Sequence, residues 1–334
     1  MYNNGFVVGK FYPPHRGHKH LIDTAQANSR HVTVMLVGRP EETIPPTLRA
    51  QWLREIHPDV TVIEVDDVHG DDDSQGWAEF TIQTLGYAPD AVFSSENYGE
   101  TFSYFLGCAH VMVDHARGTV PCSGTAVRRD PLECWDYLEP CIRAHFVKRV
   151  CVLGAESTGT TTLSKALAEH YGVHWVAEYG REYCEEKFAG RVITDDTAEI
   201  EDDWTTEEFV LIAQTQCERE DAAACETNKL LICDTNAFAT NLWHERYMGA
   251  LSPEVEAIAA QRHYDLILLT ADDIPFVQDG TRDGRHIRHA MHERFAELLA
   301  AQATPYAILS GPHEDRLREA VCLMDSVMKF ANPQ

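Results

Sequence analysis

Two stretches of this chain put phosphate-handling groups at a turn from strand to helix. The first is Gly9-Lys10-Phe11-Tyr12-Pro13-Pro14-His15-Arg16-Gly17-His18. The imidazoles of His15 and His18, three residues apart, can face one ligand and donate hydrogen bonds to phosphate oxygens as charge builds in a transition state. Gly9, Phe11 and Gly17 belong to the same turn, and Gly17 lets the backbone approach a ligand with no side chain in the way. A helix start adds unpaired N–H groups and the positive end of a dipole. Much further along, Ser123-Gly124-Thr125-Ala126-Val127-Arg128 supplies two hydroxyls and a guanidinium at another expected helix start. That set suits the β- and γ-phosphates of a nucleotide.

The second stretch is Gly154-Ala155-Glu156-Ser157-Thr158-Gly159-Thr160-Thr161-Thr162, after the apolar run Val150–Leu153. Its glycine spacing is that of a phosphate-binding loop, whose backbone amides wrap a phosphate. Thr161 holds the position whose hydroxyl reaches Mg²⁺. Thr160 holds the position expected to be lysine, and a threonine cannot supply that positive charge. Lys165 is further up the helix. Gln278–Arg288 carries Arg282, Arg285 and Arg288 among glycines and can fold over ATP as a lid that brings the charge, with Arg282 and Arg285 as ATP contacts. Glu178 and Asp234 follow expected strands, where α/β folds place chemistry. Glu178 is a candidate acceptor for a sugar hydroxyl proton, and Asp234 a candidate carboxylate near Mg²⁺. Arg181 is a candidate substrate contact.

Short Val/Ile-rich runs alternate with helix-period segments, which predicts parallel α/β sheets. Expected strands in the first half are Phe6–Val8, Val32–Val37, Val60–Val65, Ala91–Ser94 and Val111–Val113. Expected helices are Gly17–Ala27, Thr47–Ile56, Gly76–Leu85 and Tyr98–Leu106, then a helical stretch over Cys134–Phe146. The second half repeats the style, with strands at Val150–Leu153, His174–Ala177, Leu230–Cys233, Leu266–Leu269 and Tyr306–Leu309. Its helices are expected at Thr160–His170, Glu207–Glu226, Ala237–Arg246, Ile287–Ala301 and Glu314–Phe330. The fold class is α/β with two domains, 1–147 Rossmann-like and 148–334 of the P-loop NTPase type. No Gly/Ser linker separates them, so close packing through Cys134–Phe146 is expected. Asp195–Asp203 reads as a solvated acidic loop.

The 334 residues, 44% of them hydrophobic, suffice for two compact domains. A net charge of -25 and the lack of a Lys/Arg-rich block argue against nucleic acid as a partner. The 10 cysteines form no C-x-x-C pair, which leaves no visible zinc or redox motif. No signal-peptide pattern and no membrane-length apolar run are present, so a cytoplasmic protein with reduced thiols and no membrane insertion is expected. Whether it forms a homo-oligomer is left open.

The first constellation resembles the nucleotidyltransferase superfamily with its HxGH and SxTxxR motifs. The resemblance implies attack on the α-phosphate of ATP, with His15 and His18 polarising the phosphates, Arg128 holding the departing pyrophosphate, and Mg²⁺ as cofactor. Joined to a phosphate-loop kinase domain, the chain resembles the NadR-type bifunctional proteins of NAD salvage. That resemblance rests on the motifs above, on Ser94–Glu100 and Val120–Thr125, and on Glu178-Tyr179-Gly180-Arg181-Glu182-Tyr183. It implies that domain 1–147 joins nicotinamide mononucleotide to ATP, giving NAD and pyrophosphate. Domain 148–334 would phosphorylate nicotinamide riboside. Trp77 would be a candidate to stack on the nicotinamide ring, and Arg49 to contact a phosphate. Some relatives carry an N-terminal helix-turn-helix repressor domain; here the first strand begins at once, so none is expected. Three alternatives stay open: a second domain that senses nucleotide without turnover, suggested by Thr160; a pantetheine-phosphate or flavin adenylyltransferase with an attached kinase; and a DNA-binding repressor, against which the charge weighs.

Overall fold

The computed structural model describes residues 1–70, 72–189, 203–278 and 285–329. The chain divides into two compact units, Met1–His145 and Phe146–Gln334.

The first unit holds strands β1 (Tyr2–Gly9), β2 (Ser29–Gly38), β3 (Thr61–Asp66), β4 (Ala91–Ser94) and β5 (Ala109–Met112). Its helices are α1 (Arg16–Asn28), α2 (Pro46–Ile56), α3 (Ser74–Leu85), α4 (Tyr98–Leu106), α5 (Gly124–Arg129) and α6 (Pro140–Phe146). The sheet order is β3-β2-β1-β4-β5, every pair parallel. Side chains alternate across a strand, and both faces are covered. Val7, Val34, Leu36 and Phe93 pack with Leu21 and Ile22 of α1 and with Ala50 and Leu53 of α2. Phe6, Met35, Val37 and Val92 point the other way, onto Ala78 of α3 and Phe102 and Leu106 of α4. Burying a side chain of this size is worth about 1.5–3 kcal/mol, so the near-continuous apolar runs of β1 and β2 settle at the centre. From β1 the chain turns one way along the sheet and from β4 the other. The crevice between their carboxyl ends is a topological switch point, where such sheets bind ligands.

The second unit holds β6 (Lys148–Leu153), β7 (Trp175–Val176), β8 (Leu230–Asp234), β9 (Leu266–Thr270) and β10 (Tyr306–Leu309). Its helices are α7 (Thr160–Tyr171), α8 (Tyr179–Lys187), α9 (Thr206–Glu226), α10 (Ala237–Met248), α11 (Pro253–Ala259), α12 (Arg288–Ala300) and α13 (His313–Lys329). The parallel order is β10-β9-β6-β8-β7, with β6 in the middle. Val150 and Val152 of β6 bury against Leu163 and Leu167 of α7 and Met324 of α13.

The two parallel α/β sheets are those the sequence predicts, and most elements fall within a residue or two of expectation. Cys134–Phe146 is a correction. It is a 3-10 turn, Trp135–Tyr137, followed by the separate helix α6 that Pro140 opens. Proline lacks an N–H and clashes with the preceding turn, so it begins a helix and does not continue one. The strand expected at His174–Ala177 shrinks to Trp175–Val176. Helices α8 and α11 were not expected. α8 buries no side chain fully; Tyr179, Tyr183 and Cys184 pack only partly buried against the core, a weak apolar stripe. α11 is a seven-residue piece started by the Ser252 cap and Pro253. Most of the acidic stretch Asp195–Asp203 lies outside the described residues.

Candidate active sites

In the first unit α1 starts on a histidine. Nδ1 of His15 accepts from the backbone N–H of Gly17 (3.1 Å), and Nδ1 of His18 accepts from the N–H of His15 (3.3 Å). This is a capping box built from imidazoles where Ser and Glu usually stand. The two rings are 3.9 Å apart between centroids and 30° from parallel. Burial, with the Arg117 charge second, lowers the His15 pKa to about 4. Burial, then His15 and Arg117, holds His18 well below the usual histidine range. Both rings are therefore neutral near pH 7. With each Nδ1 accepting, the remaining proton of each ring is on Nε2. The sequence folds the pair into two aligned neutral N–H donors.

Arg128 reaches back across 116 residues to the carbonyl of Tyr12 and bonds Oγ1 of Thr125 at 3.2 Å. Its guanidinium also lies over the Tyr12 ring, 4.5 Å from the centroid. Ser123 caps α5 by accepting from the N–H of Ala126. A Cβ on Gly124 would come within 2.6 Å of the Tyr12 carbonyl, so α5 can dock here only with glycine at that position. The two distant motifs thus meet on Tyr12. Arg49 is fully buried; it bonds the Lys10 carbonyl and Glu42 and lies 4.9 Å from the Tyr12 ring centroid. So placed, it pins the turn from behind.

A cleft of ≈ 460 Å³ opens at the β1/β4 switch point, lined by Gly9, Phe11, His18, Trp77, Glu96 and Tyr98 among others. Trp77 is half-buried and held by a bond from its indole N–H to the Gly70 carbonyl, 3.2 Å. Sequence reasoning passed over Lys10 and Asp67, which pair at 3.4 Å in this cleft. It also passed over Tyr98 as a single residue, whose hydroxyl donates to the Val8 carbonyl at 3.0 Å.

In the second unit the loop 154–159 joins β6 to α7. Gly159 has φ 85°, a left-handed conformation that costs other residues dearly. A Cβ on Gly154 would collide with the hydroxyls of Thr158 and Thr270. Those hydroxyls bond each other at 2.7 Å, and the Thr158 hydroxyl donates to the Ala155 carbonyl at 2.6 Å. Two arginines grip the loop through its carbonyls: Arg316 to Thr158 (2.6 Å) and Arg288 to Ser157 (3.0 Å). The Ser157 hydroxyl accepts from the N–H of Val277 (2.8 Å). α7 opens with no side-chain cap among the described residues, which leaves its first-turn amides facing the loop.

The adjoining cleft, ≈ 370 Å³, brings together Glu156, Ser157, Gly159, Thr160, Thr161, Thr162, Glu178, Arg181 and Asp234. Arg181 is the cationic side chain lining it among the described residues. It also pairs with Glu185 at 3.1 Å. Burial pushes the Asp234 carboxyl up, and the hydroxyls of Thr161 and Thr160, then Lys165 and Arg181, pull it back. One oxygen of this buried carboxylate has no hydrogen-bond partner among the described residues. Lys165 instead lies over the Trp175 ring, 5.1 Å from the centroid. Arg285 sits in a 3-10 turn and does not line the cleft, and Arg282 lies outside the described residues. Arg288, the third cation of the expected lid, is buried behind the loop.

The far wall is aromatic: Trp204, Phe209, Trp243 and Tyr247. Trp204 and Tyr247 stack 5.3 Å apart and 29° from parallel. Sequence reasoning missed this wall. Its signals were the spacing of Phe209, Ile212 and Gln216 along α9 and of Trp243 and Tyr247 along α10, both of which read as ordinary core periodicity. No group of three or more His, Cys, Asp or Glu side chains placed to hold a metal occurs among the described residues. No helix among them is long and apolar enough to cross a membrane.

Comparison with known proteins finds relatives over most of the chain. The chain is 28% identical over 302 residues to the trifunctional NAD biosynthesis/regulator protein NadR of Escherichia coli strain K12, covering 83% of this chain and 71% of that protein. It is 26% identical over 351 residues to the protein of the same description from Salmonella typhimurium, covering 98% of this chain and 83% of that protein. Two solved structures match its fold over 100% of this chain and 97% of theirs. They are a NadR protein in complex with NR (TM-score 0.78, 23% identity) and one in complex with NAD and AMP-PNP (0.73, 22%). The chain is thus similar to NadR, as its motifs lead one to expect. The AAA domain model matches residues 149–316, half of the chain, and on that ground the protein belongs to the AAA domain family.

Proposed function

We propose that the chain is a two-step enzyme of NAD salvage, with adenylyl transfer in the first unit and phosphoryl transfer in the second. The observation that carries this reading is the pair of separate clefts, each beside a helix start at the carboxyl edge of its own parallel sheet. The nature of the substrates is supported by the names of the relatives, NAD biosynthesis proteins.

In the first site the phosphate of nicotinamide mononucleotide attacks the α-phosphorus of ATP, and pyrophosphate leaves. His15 and His18 donate Nε2–H bonds to oxygens whose charge grows in that step. Arg128, with Ser123 and Thr125, holds the departing pyrophosphate. Trp77 in the cleft wall is placed to stack on a flat ring.

In the second site the amides at the start of α7 bind the phosphates of ATP, and Arg181 supplies positive charge where Thr160 has none. Glu178 accepts the proton of the riboside 5′-hydroxyl as it attacks the γ-phosphorus. The aromatic wall suits a cationic pyridinium ring. The unpartnered oxygen of Asp234 next to Thr161 fits Mg²⁺, which takes one or two carboxylates and keeps waters and phosphates as its other ligands. Bound there, the ion would neutralise charge on the transferring phosphoryl group.

The test is to incubate the purified chain with ATP and either nicotinamide mononucleotide or nicotinamide riboside. NAD with pyrophosphate is expected from the first, and from the second ADP with the mononucleotide, which the first unit then carries on to NAD. Absence of NAD would overturn the adenylyltransferase assignment. A second reading, that the second unit senses nucleotide without turnover, draws on Thr160 and on the placement of Arg288 and Arg316 behind the loop. ATP binding with neither mononucleotide nor NAD formed from the riboside would favour it.

A further inference from the structure

Gln216 is 1% exposed and lines the cleft of the second unit. Its Oε1 accepts from the backbone N–H of Tyr179 at 2.9 Å. A backbone N–H can only donate, so the orientation of the amide is fixed and its NH₂ group cannot exchange places with the oxygen. That NH₂ has no hydrogen-bond partner among the described residues. A buried donor left unmade is costly, and native folds seldom keep one without a use. Gln216 follows Phe209 and Ile212 along one face of α9, and all three line the cleft together with Trp204 and Tyr247, the part of it suited to a flat ring.

We infer that Gln216 is a specificity-determining residue: its NH₂ donates to an oxygen acceptor carried by the substrate's flat ring, so the site selects rings that bear such an oxygen. For the substrate proposed above, that oxygen is the carbonyl of the ring carboxamide, and the inference rests on that reading. An aromatic wall alone would hold any flat cation. The buried donor is satisfied only by a ring with the acceptor, because the analogue lacking it leaves the donor dry and unpaired.

The test measures binding of two ligands to the full-length chain by calorimetry: nicotinamide riboside, and the pyridinium riboside lacking the carboxamide. The wild type is expected to prefer the first by at least about tenfold. Gln216→Glu keeps an oxygen for the Tyr179 N–H and replaces the donor with an acceptor. It is expected to lose most of that preference while its affinity for an ATP analogue is unchanged. Equal binding of the two ribosides by the wild type would overturn the inference even if no variant folds. So would a Gln216→Glu protein that keeps the full preference. If the wild type bound neither riboside, the substrate reading would fail and this inference with it. Binding of both ribosides, equally well, would sink only the role given to Gln216.

Discussion

The two helix starts are built in opposite ways. At α1 the N–H of Gly17 is taken by the His15 ring, and the N–H of His15 by the His18 ring. The backbone donors are spent holding two imidazoles, which leaves the proton of each ring on Nε2. At α7 no side chain among the described residues caps the helix. There the backbone itself is the donor, shaped by Gly154 and Gly159 and gripped from behind by Arg288 and Arg316. The first site thus stores its chemistry in side chains and the second in main-chain geometry. The contrast bears on the missing lysine. On the proposed reading the loop's amides bind phosphate without it, and Arg181 in the same cleft brings the charge that follows the phosphoryl group.

This contrast can be broken most sharply at His18. His18→Ala should lower NAD formation by roughly 10²–10³-fold, the scale of losing one oxyanion donor, and leave riboside phosphorylation as it was. Parallel loss of both activities would merge the two sites into one. Gly159→Ala is the matching change in the second unit. Forcing a β-carbon into the left-handed conformation costs about 1–2 kcal/mol, so ATP affinity there should fall roughly tenfold, with NAD formation unaffected. An unchanged affinity would mean that the loop geometry does not bind phosphate.

Thr160→Lys sharpens the comparison in the other direction. A missing charged donor is worth about 1.5–3 kcal/mol, so with Arg181 in that role riboside phosphorylation should rise by less than about tenfold, and a larger gain would show that the charge is lacking. The smallest effect is in pH. Burial lowers the His15 pKa in the folded chain from 6.5 to about 4. Between those values the unfolded chain holds a proton that the folded one does not. His15 therefore withdraws stability from the first unit as pH falls from 6.5 towards 4. Proton NMR should find His15 neutral at pH 6, titrating near 4, and shifted upward by bound ATP, whose phosphates favour the charged ring. A free-protein midpoint near 6.5 would refute the buried, neutral pair.

Much of this was legible beforehand because the signals are local. The glycine spacing of 154–159, the His15–His18 turn and the Ser123–Arg128 segment each announce a helix start, and the structure has α7, α1 and α5 there. Phe11, Ser157 and Thr235 were not legible. All three adopt positive φ, at 46°, 60° and 75°, just past the ends of strands at the two sites. Sequence suggests that conformation only for Gly, Asn or Asp, and here the packed surroundings impose it. The role of Arg49 was hidden for a similar reason. Nothing in its neighbours tells that it is buried beneath Tyr12 instead of facing solvent. The aromatic wall of the second cleft joins α9 and α10 through tertiary packing, which spacing within either helix cannot reveal.

Titration calorimetry with a non-hydrolysable ATP analogue tests the central claim of two independent phosphate sites most directly. The wild-type chain should bind two equivalents, and a chain with both His15 and His18 replaced by alanine should keep one. A single equivalent in the wild type, undiminished in that variant, would contradict it.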